Sequence, residues 1–414
     1  MTKVLRILAL VVAGGWLWPS AGRAQDNAEL LVRMKAMEDR IHALEAEVQA
    51  LKGSQAATPI APVQQAAAPV APAEPEPTQA PVALGGAGGA AAKVLNPDIA
   101  VIGDFLGAAG NSAGRSTPAL EMHESEVAFQ AILDPYARAD FFISFGEQGV
   151  NLEEGFITFP AVPGGFQLRV GKMRAAFGKV NTLHNHVLPW TDRPLVTGNL
   201  VGGEDGINDA GLAVSRIIPA PKGLFLEGTA QLFRGDSDGV FRSYRRSNVS
   251  SVGHLRAYRD ISESTNLDLG ASYSRGHSVI GPDVRDQLYG VDATLRWKPL
   301  RRAIYHSFVG RSELIWSRIA QSPRVTTPFG YYVSGDYQIA RRWFAGARFD
   351  RSERLTGLAL AQDTGGSLVL TYWPSEFSQI RGQFRRTAYG DNRTANEFLF
   401  QFQFSIGAHG AHPF

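Results

Sequence analysis

Apolar and polar residues alternate with a period of two along most of the chain. Residues 137–146, 289–297 and 398–406 carry apolar side chains, many of them aromatic, at every second position, with mainly polar residues between them. No helical stripe of apolar residues persists between residues 96 and 414. A period of two predicts β-strands with one apolar face and one mainly polar face.

Turn signals divide this region into about 16 strands. Tight joints such as Asp134-Pro135 and Pro374-Ser375 alternate with longer polar stretches, of which 179–206 is the longest. Short turns at one end of the strands and long loops at the other are typical of outer-membrane barrels. The predicted strands lie near residues 98–107, 120–133, 136–147, 151–159, 166–178, 207–218, 223–234, 249–260, 265–275, 285–298, 303–318, 329–340, 342–352, 364–374, 377–388 and 395–406.

A soluble β-sandwich would show similar alternation, but two features argue against it. Sixteen meandering strands would be unusual in one soluble domain. Aromatic residues also cluster near the predicted strand ends, as the interfacial girdle of a membrane barrel requires. These aromatic residues are Tyr136, Trp297, Trp316, Trp343, Tyr372 and Trp373. We therefore predict an all-β fold in which residues 96–414 form a transmembrane antiparallel β-barrel of about 16 strands, preceded by a short α-helical coiled coil.

Residues 1–24 have the pattern of a secretory signal peptide. Lys3 and Arg6 precede an apolar run of twelve residues, 7–18, and small residues occupy the −3 and −1 positions of a cleavage site after Ala24. The alternative is a membrane anchor helix. Twelve residues are too few to span roughly 30 Å of hydrocarbon, so we predict that the segment is cleaved and the mature chain exported.

Residues 25–52 carry the heptad pattern of a coiled coil. Charges of opposite sign flank the apolar seam, which favours a parallel coiled coil over a lone amphipathic helix packed on a domain. Two Arg-h-x-x-h-Glu segments, 33–38 and 40–45, resemble a short trimerisation motif, although β-branched a positions with Leu at d favour two strands. We predict a homotrimer whose coil lies in the periplasm. The predicted oligomer contacts are Leu30, Met34, Met37, Ile41, Leu44, Val48 and Leu51.

Residues 53–95 form an Ala/Pro-rich linker. Seven prolines between Pro59 and Pro81 prevent a helix and favour an extended, semi-rigid spacer. The boundary of the main domain therefore falls near Val94.

The composition excludes several classes of protein. With 44% hydrophobic and 10% aromatic residues, the chain is too apolar to be disordered throughout. It has no Cys, which excludes disulfides, thiolate catalysis and Cys-ligated metal centres. A net charge of +2, from 41 basic and 39 acidic residues, is too balanced for a nucleic-acid-binding protein, which needs a concentrated basic face.

Two short motifs resemble those of a known porin family. The run 168–178, Leu-Arg-Val-Gly-Lys-Met-Arg-Ala-Ala-Phe-Gly, resembles the "VGxFKxPFG" strand of the phosphate-selective porin O/P family, with Met173 replacing Phe and Ala176 replacing Pro. The run 347–350, Ala-Arg-Phe-Asp, resembles the "xRYD" strand of that group. The resemblance implies a trimeric Gram-negative outer-membrane porin that acts as a passive diffusion pore, and it does not establish phosphate selectivity.

The C-terminal end resembles the signal that the barrel-assembly machinery of outer membranes reads. An alternating aromatic strand that includes Phe404 precedes the terminal Phe414. We expect this machinery and outer-membrane lipid as partners, and peptidoglycan if residues 26–95 reach the cell wall. That contact underlies the alternative function, a structural tether between barrel and cell wall. A gated receptor resembling TonB-dependent transporters would need 22 strands and a plug domain, for which the chain has no room.

Charged residues on the polar strand faces are candidates for the pore lining, because rings of charge set the selectivity of channels. In a porin, a loop as long as 179–206 commonly folds into the lumen and narrows it, whereas the alternative is an external lid. Rings of both signs predict weak selectivity, with a mild preference for phosphate-like anions from the arginines. The pore-lining and constriction candidates are Arg138, Asp140, Arg169, His184, His186, Asp192, Arg193, Arg216, Arg296, Arg348, Asp350 and Arg385.

Four histidines invite a metal-binding interpretation, since His-x-His pairs and His-rich ends bind zinc or nickel. They are His184, His186, His409 and His412. No carboxylate spacing in the sequence completes a site, so we predict no bound metal and no cofactor. The chain has no Gly-x-Ser-x-Gly elbow, no His-Glu-x-x-His and no phosphate-binding Gly loop before a helix, and we predict that it is not an enzyme.

Overall fold

A computed structural model describes the barrel region of the chain. The described residues are Lys35, 97–111, 118–147, 149–321, 324–356 and 359–407. Apart from Lys35, the predicted signal peptide, coiled coil and linker lie outside the described residues, as does Phe414. Within the described ranges, no helix is long and apolar enough to cross a bilayer.

The described residues form one antiparallel sheet. Its strands are β1 (Asp98–Asn111), β2 (Leu120–Asp134), β3 (Ala137–Gly146), β4 (Gly149–Val162), β5 (Phe166–Arg174), β6 (Asn208–Ile218), β7 (Leu224–Phe233), β8 (Ser250–Ser262), β9 (Thr265–His277), β10 (Arg285–Trp297), β11 (Phe308–Gln321), β12 (Arg324–Thr326), β13 (Phe329–Ala340), β14 (Trp343–Thr356), β15 (Ala359–Ser375), β16 (Ser378–Ala388) and β17 (Thr394–Gly407). Neighbours along the chain pair with one another, and β1 also pairs with β17. The three-residue β12 pairs with the end of β11, and the other sixteen strands of the described region close into a barrel.

The predicted barrel of about 16 strands is confirmed, and most predicted strand ends agree with the observed ones within a few residues. Strand β11 begins at Phe308 rather than near 303, because the N–H of His306 donates to the carbonyl of Arg302 in a preceding turn. Strand β5 ends at Arg174 rather than at 178, because the chain there turns into the lumen. Strand β12 was not predicted.

The outer surface of the barrel is apolar. On β17, Phe398 and Ile406 are exposed, whereas Gln401 and Gln403 on the opposite face are buried. Even the shortest of the sixteen barrel strands, β5, has nine residues, which is enough to cross the hydrocarbon region when the strand is tilted. An apolar exterior around a polar interior is the arrangement of a membrane-spanning barrel.

Leu368 tests the assignment of the outer surface to lipid. It lies in the middle of β15 and is 64% exposed. Leu368→Arg should lower the free energy of unfolding by about 2–4 kcal/mol, the cost of an arginine near the bilayer midplane. The measurement is denaturant unfolding in lipid vesicles, with Glu376→Arg, in the exposed turn after β15, as the control. Equal effects of the two substitutions would contradict a lipid-facing Leu368.

Candidate functional site

The connection between β5 and β6 folds into the barrel, and residues 179–206 are called the lumen loop below. The loop contains two 3-10 turns, Val180–Thr182 and Asn185–Val187, and a short helix, α1 (Leu195–Leu200). Its side chains and backbone bond to β11, to β2 and β4 on the opposite side of the barrel, and to β14 and β16. The loop therefore crosses the lumen.

Asn181 closes the base of the lumen loop. Its side-chain amide donates to the carbonyls of Ala175 at 2.8 Å and Ile207 at 3.1 Å, and its side-chain oxygen accepts the N–H of Ile207 at 2.8 Å. Gly206 has a φ of +63°, and a Cβ at this position would lie 2.0 Å from that oxygen. Glycine is therefore required at 206, both for the backbone conformation and for the close approach.

Carboxylates of the barrel wall hold the start of the loop. Glu313 on β11 accepts the N–H groups of Lys179 and Val180, both at 2.7 Å. The Lys179 ammonium bonds to Asp268 on β9 at 2.9 Å. These contacts fix the loop against the wall opposite β2–β4.

Asp192 anchors the middle of the loop to the wall. Its carboxylate accepts hydrogen bonds from Arg348 at 2.8 Å, from Arg385 at 2.7 Å and from the Gln383 amide. Burial alone would raise the pKa of Asp192, but the two guanidinium groups lower it to about 2. The carboxylate is therefore ionised at neutral pH and clamps the loop to β14 and β16. Arg348 also bonds to Asp350 at 2.7 Å.

A hydrophobic core surrounds this anchor inside the barrel. Trp190 and Val196 of the loop are fully buried, and they belong to one apolar cluster with Leu288 of β10 and Tyr332 of β13. The Trp190 ring meets the Tyr332 ring edge to face at 5.2 Å, and the Arg348 guanidinium lies 4.8 Å from the Trp190 ring. Apolar burial and the ion pairs thus act together at one place on the wall.

The two loop histidines reach the opposite wall. His184 Nδ1 lies 2.5 Å from Glu126 of β2, and its Nε2 lies 2.7 Å from Glu154 of β4. His186 Nδ1 lies 3.3 Å from Glu124. Burial alone would lower the pKa of His184, but its hydrogen bonds to the two carboxylates raise it to about 10.

The interior near the tight-turn end of the barrel is lined by ion pairs of unequal exposure. Arg138 bonds to Asp140 at 2.7 Å, with side chains 50% and 7% exposed. Arg256 bonds to Asp268 at 2.9 Å, and Arg296 approaches the same carboxylate at 3.8 Å. These two arginines are 36% and 44% exposed, whereas Asp268 is completely buried. We call these five residues the vestibule; its arginines face the water and cover its acids.

Most sequence-predicted charged residues lie on inward strand faces or on the lumen loop. Arg169 faces inward over the Phe156 ring at 5.3 Å. Arg193 bonds within the loop itself, to the carbonyls of Val180 at 3.0 Å and Leu183 at 2.6 Å, and burial lowers its pKa to about 10. The residues placed inside the barrel are Arg138, Asp140, Arg169, His184, His186, Asp192, Arg193, Arg296, Arg348, Asp350 and Arg385.

The expectation that Arg216 faces the lumen was wrong. Arg216 shares a strand face with Leu212 and Val214, which are exposed on the outer surface. Its guanidinium lies over the ring of its cross-strand partner Phe166 at 5.0 Å. The alternation is ambiguous at this end of β6, where Ile217 and Ile218 place apolar side chains on both faces, so local pattern could not decide the side.

Several residues of the site were not singled out from the sequence. Asn181, within the loop, bonds to backbone groups on either side of the loop, and Glu313 on the wall accepts backbone N–H groups of the loop. A sequence carries no distinctive signal for contacts with backbone groups. Arg381 of β16 is buried and donates to the Trp190 carbonyl at 3.1 Å. Glu153 joins the histidine contacts because β4 has a bulge there, a feature that period-two alternation does not reveal.

Sequence comparison places the chain beside one relative. No protein-family model matches it. A protein of Aquifex aeolicus (strain VF5), described as an uncharacterized protein, is 29% identical over 78% of this chain and 81% of the relative.

Solved structures of outer-membrane proteins share the fold. OprB of Pseudomonas putida, at high pH, superposes with a TM-score of 0.53 at 10% identity, covering 76% of this chain and 95% of OprB. The outer membrane channel DcaP of Acinetobacter baumannii gives 0.51 at 12% identity, covering 75% and 96%. The trimer form of OmpT of Vibrio cholerae gives 0.51 at 9% identity, covering 75% and 100%. The chain therefore has the closed-barrel fold of outer-membrane channels.

Asp192→Asn should destabilise the folded barrel, because it removes the carboxylate that Arg348 and Arg385 share and leaves each with one carboxylate partner, Asp350 and Glu397 respectively. A hydrogen bond to a charged group contributes about 1.5–3 kcal/mol, and the loss should lie in that range because both guanidinium groups stay paired. Denaturant unfolding in vesicles at pH 7 measures the change. Asp205→Asn, which removes an exposed carboxylate of the same loop, is the matched control and should change stability by about 0.5 kcal/mol or less.

The stability difference between wild type and Asp192→Asn should depend on pH. The pKa of Asp192 is lowered from 3.8 to about 2, so its stabilising effect is complete above pH 3.8 and is lost as pH falls through 2. The difference in unfolding free energy between wild type and Asp192→Asn should stay constant above that range. It should then narrow by about 2 kcal/mol toward pH 2, at about 1.4 kcal/mol per pKa unit. If this difference in unfolding free energy stayed constant down to pH 2, an ionised Asp192 that binds the loop to β14 and β16 would be contradicted.

Proposed function

We propose that the chain is an outer-membrane porin that lets ions and small hydrophilic solutes diffuse down their gradients. The observation that carries this proposal is a closed barrel, apolar outside and polar inside, with a long loop folded across its lumen. An energy-independent channel needs a scaffold that excludes lipid, a hydrated interior and a constriction. The likeness to outer-membrane channels agrees with this proposal at the level of the fold.

The lumen loop is the proposed constriction. It is tied at three places to the wall, through Glu313, Asp192 and the two histidines, and its base is closed by Asn181. A loop held in this way keeps a constant shape, which a size-selective passage requires. The charged side chains at its edges then act on the solutes that pass.

A mild preference for anions is the proposed selectivity. In the vestibule the acids are covered and the guanidinium groups face the water, so a solute meets more positive charge than the balanced composition suggests. Cationic side chains lining a channel attract anions and repel cations. Phosphate is one candidate anion, on the resemblance of residues 168–178 and 347–350 to the phosphate-selective porin O/P family.

Export and trimer assembly complete the proposal. Residues 1–24 act as the signal peptide, and residues 25–52 form a periplasmic coiled coil that assists a homotrimer. The two Arg-h-x-x-h-Glu segments, 33–38 and 40–45, support the trimer, as does the trimer form in which one structural neighbour, OmpT, was solved. The tether alternative depends on residues 26–95, which lie outside the described part of the chain apart from Lys35, and no described contact favours it.

The experiment that tests the porin function is conductance in a planar lipid bilayer. Purified full-length protein, added to both chambers in KCl, should insert as open channels without ligand or energy source. Conductance steps in multiples of three support the trimer, and a single repeated step favours independent protomers. No conductance from protein that is folded, as shown by heat-modifiable migration on gels, would overturn the porin assignment.

The vestibule arginines give the proposed selectivity a direct test. Arg138→Gln and Arg296→Gln together should shift the zero-current potential in a KCl gradient toward cation selectivity. A unit charge about 10 Å from a permeating ion contributes about 0.4 kcal/mol in water, favourable for chloride and unfavourable for potassium, so without salt screening each substitution should lower the chloride-to-potassium permeability ratio about fourfold. Arg318→Gln, which removes an exposed charge from the outer face of β11, is the matched control. A potential equally insensitive to all three substitutions would contradict an arginine-based preference.

A further inference from the structure

Two histidines and three glutamates converge inside the barrel wall. This histidine–glutamate cluster consists of Glu124 and Glu126 of β2, Glu153 of β4, and His184 and His186 of the lumen loop. All five side chains are at most one-tenth exposed. The candidate ligand atoms of Glu126, His184 and His186 lie within 4.8 Å of one another, as do those of the three glutamates.

Each element delivers its ligands for a local structural reason. Glu124 and Glu126 are two residues apart on β2 and so share its inward face. In β4 the pairing with β3 shifts between Phe142 and Ile143, which leaves Glu153 as an extra, bulged residue beside the inward Glu154. A bulge re-aims side chains, so two consecutive glutamates reach the same place.

The spacing of the donor atoms suits a small metal ion. A tetrahedral ion with bonds of about 2.0–2.2 Å holds its ligand atoms about 3.3–3.6 Å apart. His186 Nδ1 lies 3.3 Å from Glu124 and 3.7 Å from Glu126, and His184 Nδ1 lies 3.4 Å from Glu153. The pair His184–Glu126 is closer, at hydrogen-bond distance, and would open as a metal replaces the proton between the two atoms.

The cluster already has the outer contacts of a metal site. His184 Nε2 lies 2.7 Å from Glu154, which leaves Nδ1 directed at the cluster. A carboxylate on the far nitrogen of a ligating histidine orients the ring and makes it a better ligand. Glu154 itself accepts the backbone N–H of Arg174 at 2.7 Å. The Phe142 ring meets the His184 ring edge-on at 5.1 Å.

The charge balance also favours a cation. Four carboxylates, including Glu154, surround the two histidines, and the positive groups among them are the Arg174 guanidinium, 3.0 Å from Glu153, and the proton on His184, which a metal would replace. Buried anions are costly unless a cation pairs with them. A divalent ion would supply that charge, and imidazole with carboxylate donors matches the preferences of Zn²⁺, whereas Ca²⁺ and Mg²⁺ favour all-oxygen sites.

We propose that Glu126, His184 and His186, completed by Glu124 or Glu153, bind one Zn²⁺-type divalent cation that ties the lumen loop to the barrel wall. Because the sequence distance between the loop and β2 is about 60 residues, the site exists only in the folded barrel. The inference concerns metal binding alone and holds whether or not the barrel conducts.

The test is zinc binding by the folded full-length protein. Protein stripped with EDTA in detergent is equilibrated with Zn²⁺, desalted and assayed for zinc per protomer by mass spectrometry. One zinc per protomer is expected. Co²⁺ in its place should give the visible absorption of a tetrahedral site with nitrogen ligands. This spectrum is read on wild-type protein, so the proposal stays testable even if variants fold poorly. Zinc-free wild type after equilibration would overturn the proposal.

Variants locate the ion. Glu126→Gln and His186→Asn should abolish stoichiometric binding, and Glu154→Gln should weaken the affinity measured by calorimetry about 10–100-fold, as loss of an outer-shell carboxylate does. His254→Asn, which alters an inward histidine that contacts Ser272 on the far wall, is the matched control and should bind as wild type.

Binding that survives Glu126→Gln and His186→Asn but is lost in a His409→Asn, His412→Asn double variant would place the ion at the C-terminus and overturn the proposal.

Discussion

Closure of the sheet between β1 and β17 is the constraint on which the rest of the molecule depends. Hydrocarbon offers no partner for a backbone N–H or C=O group, so a strand with an unpaired edge cannot lie in a membrane. The pairing of Ala100–Asn111 with 396–407 removes both edges of the sheet at once. Once the ring is closed, each strand has one face toward lipid and one toward the lumen. The alternation of Phe398 to Ile406 with buried glutamines is a direct consequence.

Closure also creates an interior that must be filled or hydrated. Near the middle of the barrel the lumen loop fills part of it, with Trp190 and Val196 packed on wall residues, much as the core of a soluble domain is packed. Charged groups buried alongside are paired, among them Asp192 with Arg348 and Arg385. Apolar packing and the ion pairs of Asp192 thus hold the loop on one part of the barrel wall. The histidine contacts hold it on another.

The charge that a solute meets in the interior depends on the exposure of each charged side chain as much as on the numbers of acidic and basic residues. Arginine has a long side chain whose planar head reaches water while its carboxylate partner stays against the wall. At Arg138–Asp140 and at Arg256–Asp268 this places the positive group toward the solvent. A nearly neutral lining can therefore present a positive surface, and a count of charges along the chain does not reveal it.

Strand alternation and turn residues are local features, so the barrel could be predicted from them: the strand predicted at 395–406 is observed at Thr394–Gly407. The sequence also identified 179–206 as the unusual connection, from length alone. Tertiary structure decided the rest. The bulge at Glu153 and the ambiguous end of β6 near Arg216 break the period of two. Whether these side chains face the lumen or the lipid therefore depends on pairing with the neighbouring strand. The contacts of His184 and Asp192 join residues about 60 to 190 positions apart, and only closure of the barrel brings them together.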